Sequence, residues 1–81
     1  MSDQALRLSE LQPAEKAIII GFSPDCDQVY RRTLMSRGLL PNSEVTIVRI
    51  APLGDPIELL VRDYRLTLRR SEAACLVVQP Q

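Results

Sequence analysis

The hydrophobic positions of the chain change period several times, and each change marks an element. Leu6, Leu8 and Leu11 sit in a short mixed segment that ends at Pro13. The run KAIIIGF, Lys16 to Phe22, is continuous and β-branched, which predicts a buried strand. The period then lengthens. Ser23 stands as an N-cap residue before Pro24 at the first helical position, and Asp25 and Asp27 add acid to the first turn. Cys26, Val29, Tyr30, Thr33 and Leu34 share one helical face, while Arg31, Arg32, Ser36 and Arg37 fall largely on others. Gly38 suits the left-handed position after the helix, and Leu39 then folds back on Leu34. Strands follow at Glu44 to Ile50 and Ile57 to Val61, joined by the sequence APLGDP at 51–56. A tight turn at Asp63-Tyr64 leads into the alternating segment 65–69, with Leu66 and Leu68 inward. Ser71 caps one helical turn over 71–74, and residues 75–78 make a last strand. About five short strands and one helix, inserted after the first long strand, predict a mostly β protein. Its small, bent sheet closes into a barrel and so removes its own edges.

Composition narrows what such a barrel does. Eighty-one residues make one domain, 1–81, with 1–5 polar and loose. Folding buries roughly 60–65% of the surface, enough for a single core. Ten acidic and ten basic residues cancel, so no net positive field draws nucleic acid or anionic lipid. Histidine, the commonest general base and metal ligand, is absent. The acids are scattered apart from Asp25-x-Asp27, which serves the helix dipole, and the glycines are isolated, so no phosphate loop forms. No catalytic set assembles, and an enzyme is not expected. Cys26 and Cys75 are far apart in sequence and read as small buried residues with free thiols. The start lacks the pattern of a signal peptide, and an apolar run such as 17–20 is far short of the ~20 residues that span a bilayer. These features predict a reduced, cytoplasmic domain.

Binding is the remaining chemistry. The bases are nine arginines and one lysine. Arg31, Arg32 and Arg37 follow the helix, and Arg65, Arg69 and Arg70 lie on or after the penultimate strand. They form either a solvated face neutralised by nearby acids or a surface that steers an acidic protein. The few aromatics, Phe22, Tyr30 and Tyr64, give no stacking platform for bases. In the 51–56 loop two prolines fix φ and Gly54 permits a sharp bend, so the loop is stiff. Leu53 at its tip either folds back on the core or stands out as a preorganised apolar knob for a partner. Of Leu39 and Leu40, one seals the helix end and the other is left exposed. Asp25-Cys26-Asp27 places two oxygens and a thiol close together, but a closed site needs about four ligands. No cofactor is therefore built in. A transition metal, Fe²⁺ or Zn²⁺, held weakly between two chains by Asp25 and Asp27 is the metal reading that stays open.

The order of motifs resembles the FeoA family of the bacterial ferrous iron uptake system. The resemblance is carried by RTLMSRGLLP at 32–41, Val45 to Arg49, APLGDPI at 51–57, Leu66-Thr67-Leu68-Arg69 and Glu72-Ala73. It covers about Leu8 to Val78, and APLGDP is its specific part. It implies an SH3-like barrel with an inserted helix and a partner, the membrane permease FeoB, whose cytosolic part carries a GTP-binding domain. The protein then reaches the membrane only through that partner, makes no direct contact with nucleic acid, and acts as an accessory protein. Leu53, Gly54, Asp55 and Pro56, with Leu39, Leu40, Arg31 and Arg32, are the expected contact residues. Two alternatives come from other classes. Similar domains end metal-dependent transcriptional repressors, and a metal-bridged homo-oligomer is the third reading. Two departures from the family stand out: Asn42 and Ala14 or Glu15 occupy places where it often has glycine. Asn tolerates left-handed φ, whereas the second change leaves the start of the first strand open.

Overall fold

The computed structural model describes residues 5–81, so most of the segment expected to be loose, residues 1–4, lies outside the described residues. Six strands form one antiparallel sheet: β1 (Leu6–Arg7), β2 (Lys16–Phe22), β3 (Glu44–Ile50), β4 (Ile57–Val61), β5 (Tyr64–Leu68) and β6 (Leu76–Pro80). Helix α1 (Gln28–Ser36) connects β2 to β3, and a single turn, α2 (Arg70–Ala73), precedes β6. The spatial order is β1-β6-β2-β3-β4-β5. The described strands number one more than expected. Strand β1 escapes sequence reading because it is two residues long and its partner is at the other end of the chain, Leu6 opposite Val78.

The sheet bends through its bulges. Register shifts between Ile19 and Gly21 against β6, and between Ile47 and Arg49 against β4. The first shift corrects the reading of KAIIIGF as wholly buried: Ala17 and Ile19 are in the core, but the bulged Ile20 is 48% exposed. No ladder joins β1 to β5 among the described residues, so hydrogen bonding does not close the barrel as expected. Side chains close it instead. Leu8, Leu11, Ala17, Ile19, Leu34, Leu39, Val45, Ile47, Ile57, Leu59, Val61, Leu68, Ala73, Leu76 and Val78 form one buried cluster. The β5 edge is blunted where Arg37 Nη2 donates to the Thr67 carbonyl at 2.8 Å.

The N-cap of helix α1 lies four residues beyond the expected one, at Asp27 rather than Ser23. Ser23 and Pro24 open a turn, closed by Cys26 N donating to Ser23 O at 3.0 Å, and Ser23 N is taken by Cys75 O at 2.8 Å. Asp27 is the N-cap, its carboxylate accepting from Val29 N at 2.9 Å. The later start rotates the buried face. Tyr30 and Leu34 pack inward, while Val29 is 68% exposed and Thr33 faces solvent. The helix ends as expected: Gly38 has φ +92, Leu39 N donates to Leu34 O at 3.1 Å, and Gly38 N to Met35 O at 3.0 Å.

The β4–β5 turn is Arg62-Asp63, one residue earlier than expected, since Val61 pairs with Tyr64. Helix α2 is capped by Arg69, whose amide N–H is accepted by Glu72 Oε1 at 2.9 Å, and not by Ser71. Asn42 has φ +75, as its left-handed tolerance implied. Ala14 also has φ +75, and β2 nonetheless begins at Lys16. Among the described residues no helix is long and apolar enough to cross a membrane.

Candidate functional site

The loop at residues 51–56 is held from inside and from outside. Gly54 N donates to Ala51 O at 2.7 Å, making a turn with Pro52 and Leu53 at its centre, and Ala51 N donates to Pro56 O at 3.1 Å. Gly54 has φ +88, and the Asp55–Pro56 bond is cis. From outside, Asp55 Oδ1 accepts from the Arg70 backbone N–H at 3.0 Å, and Arg70 Nη1 reaches the Gly54 carbonyl at 3.4 Å. Asp55 thus supplies from a distant loop an acceptor for the first turn of α2, where helix N–H groups lack partners. Prolines stiffen the loop and Arg70 locks it.

Leu53 is the outcome of that locking. It is 96% exposed, so it does not fold back on the core. A side chain this apolar, at the tip of a turn whose backbone is already fixed, loses little further entropy on meeting a partner. Pro56, Asp55 and Pro52 are also exposed. Beside the loop lies a shallow open hollow of about 220 Å³, lined by Arg49, Ala51, Pro56, Glu58 and Thr67.

The other expected contact residues divide. Leu39 is fully buried at the helix stop, so it seals the core and cannot meet a partner. Leu40 is 41% exposed. Its neighbourhood is tied to β2, where Asn42 N donates to Ile19 O at 2.7 Å. Arg31 lies over Phe22, 5.7 Å from the ring centre, with its Nε buried and unpaired, while Arg32 is exposed. The remaining arginines are partly neutralised, as the bland reading of the basic face has it: Arg65 pairs with Glu58 at 3.4 Å and Arg37 with Glu72 at 4.0 Å. Sequence reasoning did not find Arg70 as the clamp. Nor did it find Tyr64, whose hydroxyl donates to Arg37 O and pins the end of α1 to β5. The Tyr30 and Ser71 hydroxyls, 3.5 Å apart, make one long contact between α1 and α2.

The donors in Asp25-Cys26-Asp27 are committed elsewhere. The Asp25 carboxylate accepts from the Ser23 hydroxyl, which holds its pKa below the ordinary range, with the Arg7 guanidinium adding to the effect. Asp27 caps α1. Among the described residues no group of three or more Cys, Asp or Glu is arranged to hold a metal ion. The described residues therefore do not assemble a metal site within one molecule.

The family model of the FeoA domain matches residues 6–80. A fusion protein of Fe(2+) transport protein A and the Fe(2+) transporter FeoB from Porphyromonas gingivalis is 34% identical over 74 residues, 91% of this chain. The chain spans 8% of that relative's length. The FeoA-like protein of Clostridium acetobutylicum superposes with a TM-score of 0.86 at 36% identity, covering 99% of this chain and 90% of that one. Stenotrophomonas maltophilia FeoA, solved with zinc and described as an SH3 domain protein, gives 0.78 at 30% identity, covering 91% of this chain and 89% of the other. A manganese-dependent transcriptional repressor shares the fold alone, at 16% identity and a TM-score of 0.87 over 99% of this chain and 43% of its own. The barrel is SH3-like, the matched segment runs from β1 to the end of β6, and the chain belongs to the FeoA family.

Proposed function

We propose that this chain is a non-enzymatic, cytoplasmic accessory protein of ferrous iron uptake that docks on the cytosolic, GTP-binding part of a FeoB-type permease. The observation that carries the reading is Leu53, almost wholly exposed on a loop locked by Arg70. Gly54, Asp55 and Pro56 shape that contact, and Leu40 extends the apolar surface on another side. Arg32, with Arg31 beside it, steers the encounter toward an acidic partner surface, an effect on association rate that salt weakens. The fusion in P. gingivalis, which joins transport protein A and FeoB in one polypeptide, supports the choice of partner.

The test is co-purification of the tagged protein with the permease of the same organism, as wild type and as Leu53→Asp. Burying one leucine contributes about 1.5–3 kcal/mol, so the variant's affinity falls at least about tenfold. Its thermal midpoint stays nearly unchanged, because substitutions at exposed positions usually fall within about ±0.5 kcal/mol. Binding retained in the variant moves the contact to another face. No binding by wild type sinks the permease as partner.

A further inference from the structure

The two cysteines, far apart in the chain, are brought to one place. Three contacts fasten the turn at residues 23–26 to the segment entering β6. Ser23 N donates to the Cys75 carbonyl at 2.8 Å. The Arg7 guanidinium lies 3.9 Å from Asp25 Oδ1 and donates to the Ala74 carbonyl at 3.3 Å. Asp25 precedes Cys26 and Ala74 precedes Cys75, so one guanidinium braces both sides of the pair. Cys26 N donates to Ser23 O at 3.0 Å, so Cys26 closes the turn whose first residue holds the Cys75 carbonyl; both cysteines belong to one core cluster and are only 8% and 9% exposed. Both are free.

We propose that Cys26 and Cys75 form a dithiol that a small-molecule disulfide, such as oxidised glutathione, converts reversibly into an intramolecular disulfide. One cysteine loses its proton to solvent and attacks a glutathione sulfur, forming a mixed disulfide and releasing one glutathione thiolate, which takes up a proton. The second cysteine then loses its proton and attacks the protein-side sulfur, releasing the second glutathione. Two electrons pass from the protein to one glutathione disulfide, and two glutathione thiols leave. Burial, followed by the neighbouring Cys26 thiol, pushes Cys75 up to about 12, which disfavours Cys75 as the first nucleophile. In a reducing compartment such a bond is redox-sensing more often than structural. Here it latches the entrance of α1 to β6. It closes a loop of about 50 residues, which constrains the unfolded chain strongly.

The test equilibrates the folded protein against graded ratios of reduced to oxidised glutathione. It then traps free thiols with an alkylating agent and locates the products by peptide mass. The expected result is one species lighter by two hydrogens, with Cys26 and Cys75 peptides linked, both thiols lost together, and Tm raised by about 10 °C or more. Cys75→Ser should stop at a glutathione adduct on Cys26. Three results overturn the proposal. In one, both thiols remain alkylatable in fully oxidised glutathione. In the second, wild type stops at a mixed adduct or a cross-linked dimer. In the third, the bond forms only in denaturant or lowers Tm. The wild-type arm needs no variant to fold.

Discussion

Gly38 is where the helix, the sheet and a hydroxyl meet, and replacing it by alanine tests that arrangement. The residue has φ +92, in the region that an L side chain enters at about 1 kcal/mol or more. The added Cβ would also stand on the Tyr64 hydroxyl and 3.2 Å from the ring carbon that bears it. Because the hydroxyl donates to Arg37 O, Tyr64 can yield only by giving up that bond, about 0.5–1.5 kcal/mol. Together these give a loss of about 1.5–2.5 kcal/mol, or roughly 6–20 °C in Tm for a domain of this size. Urea unfolding followed by far-ultraviolet circular dichroism measures it, with an unchanged m-value showing that both states are otherwise the same. The decisive comparison is Gly38→Ala in a Tyr64→Ala background. With no ring to strike, only the φ contribution remains, so the second measurement should show a cost of about 1 kcal/mol. A coupling below about 0.5 kcal/mol would mean that the two sites are independent and that Tyr64 does not guard the helix end.

Ala14→Gly should stabilise the protein by about 0.5–1 kcal/mol, since Ala14 has φ +75 and glycine removes the strain; a fall in the denaturation midpoint would contradict this. Asp55→Ala should cost about 1 kcal/mol by uncapping α2 and should speed amide exchange at Gly54, read by NMR, while leaving Leu53 exposed. Unchanged exchange would show that Arg70 does not lock the loop. Cys75 is raised in the folded state from the ordinary 9.0 to about 12 by burial and then by Cys26. The unfolded thiol therefore loses its proton first, and stability contributed by this group is intact below pH 9 and is lost as pH rises from about 9 to 12. Cys75→Ala should flatten that part of the stability profile, and an unaltered slope would refute the assignment.

Much of this was legible along the chain because local physics decided it. Strands β3 and β4 follow from β-branched runs between breakers, and the end of α1 follows from Gly38-Leu39, whose glycine and apolar residue make only one kind of stop. The stiffness of the 51–56 loop was readable in its prolines. Its anchor was not, because Arg70 touches the loop only once β5 has reversed the chain. The start of α1 misled for a related reason. Ser-Pro-Asp opens a helix or a turn equally well, and Cys75 O, drawing the Ser23 amide, settles it as a turn. Strand β1 carries too little pattern to predict; a partner at the far end of the chain creates it.

That sheet order has a consequence for how the molecule is made. The last strand in the chain, β6, lies between β1 and β2. Until residues 76–80 leave the ribosome, β1 has no neighbour and one side of β2 lacks its ladder. Pairing ends so distant in sequence is also an intrinsically slow step. A chain stopped before Leu76 should stay open and bind, in trans, a peptide carrying the missing strand.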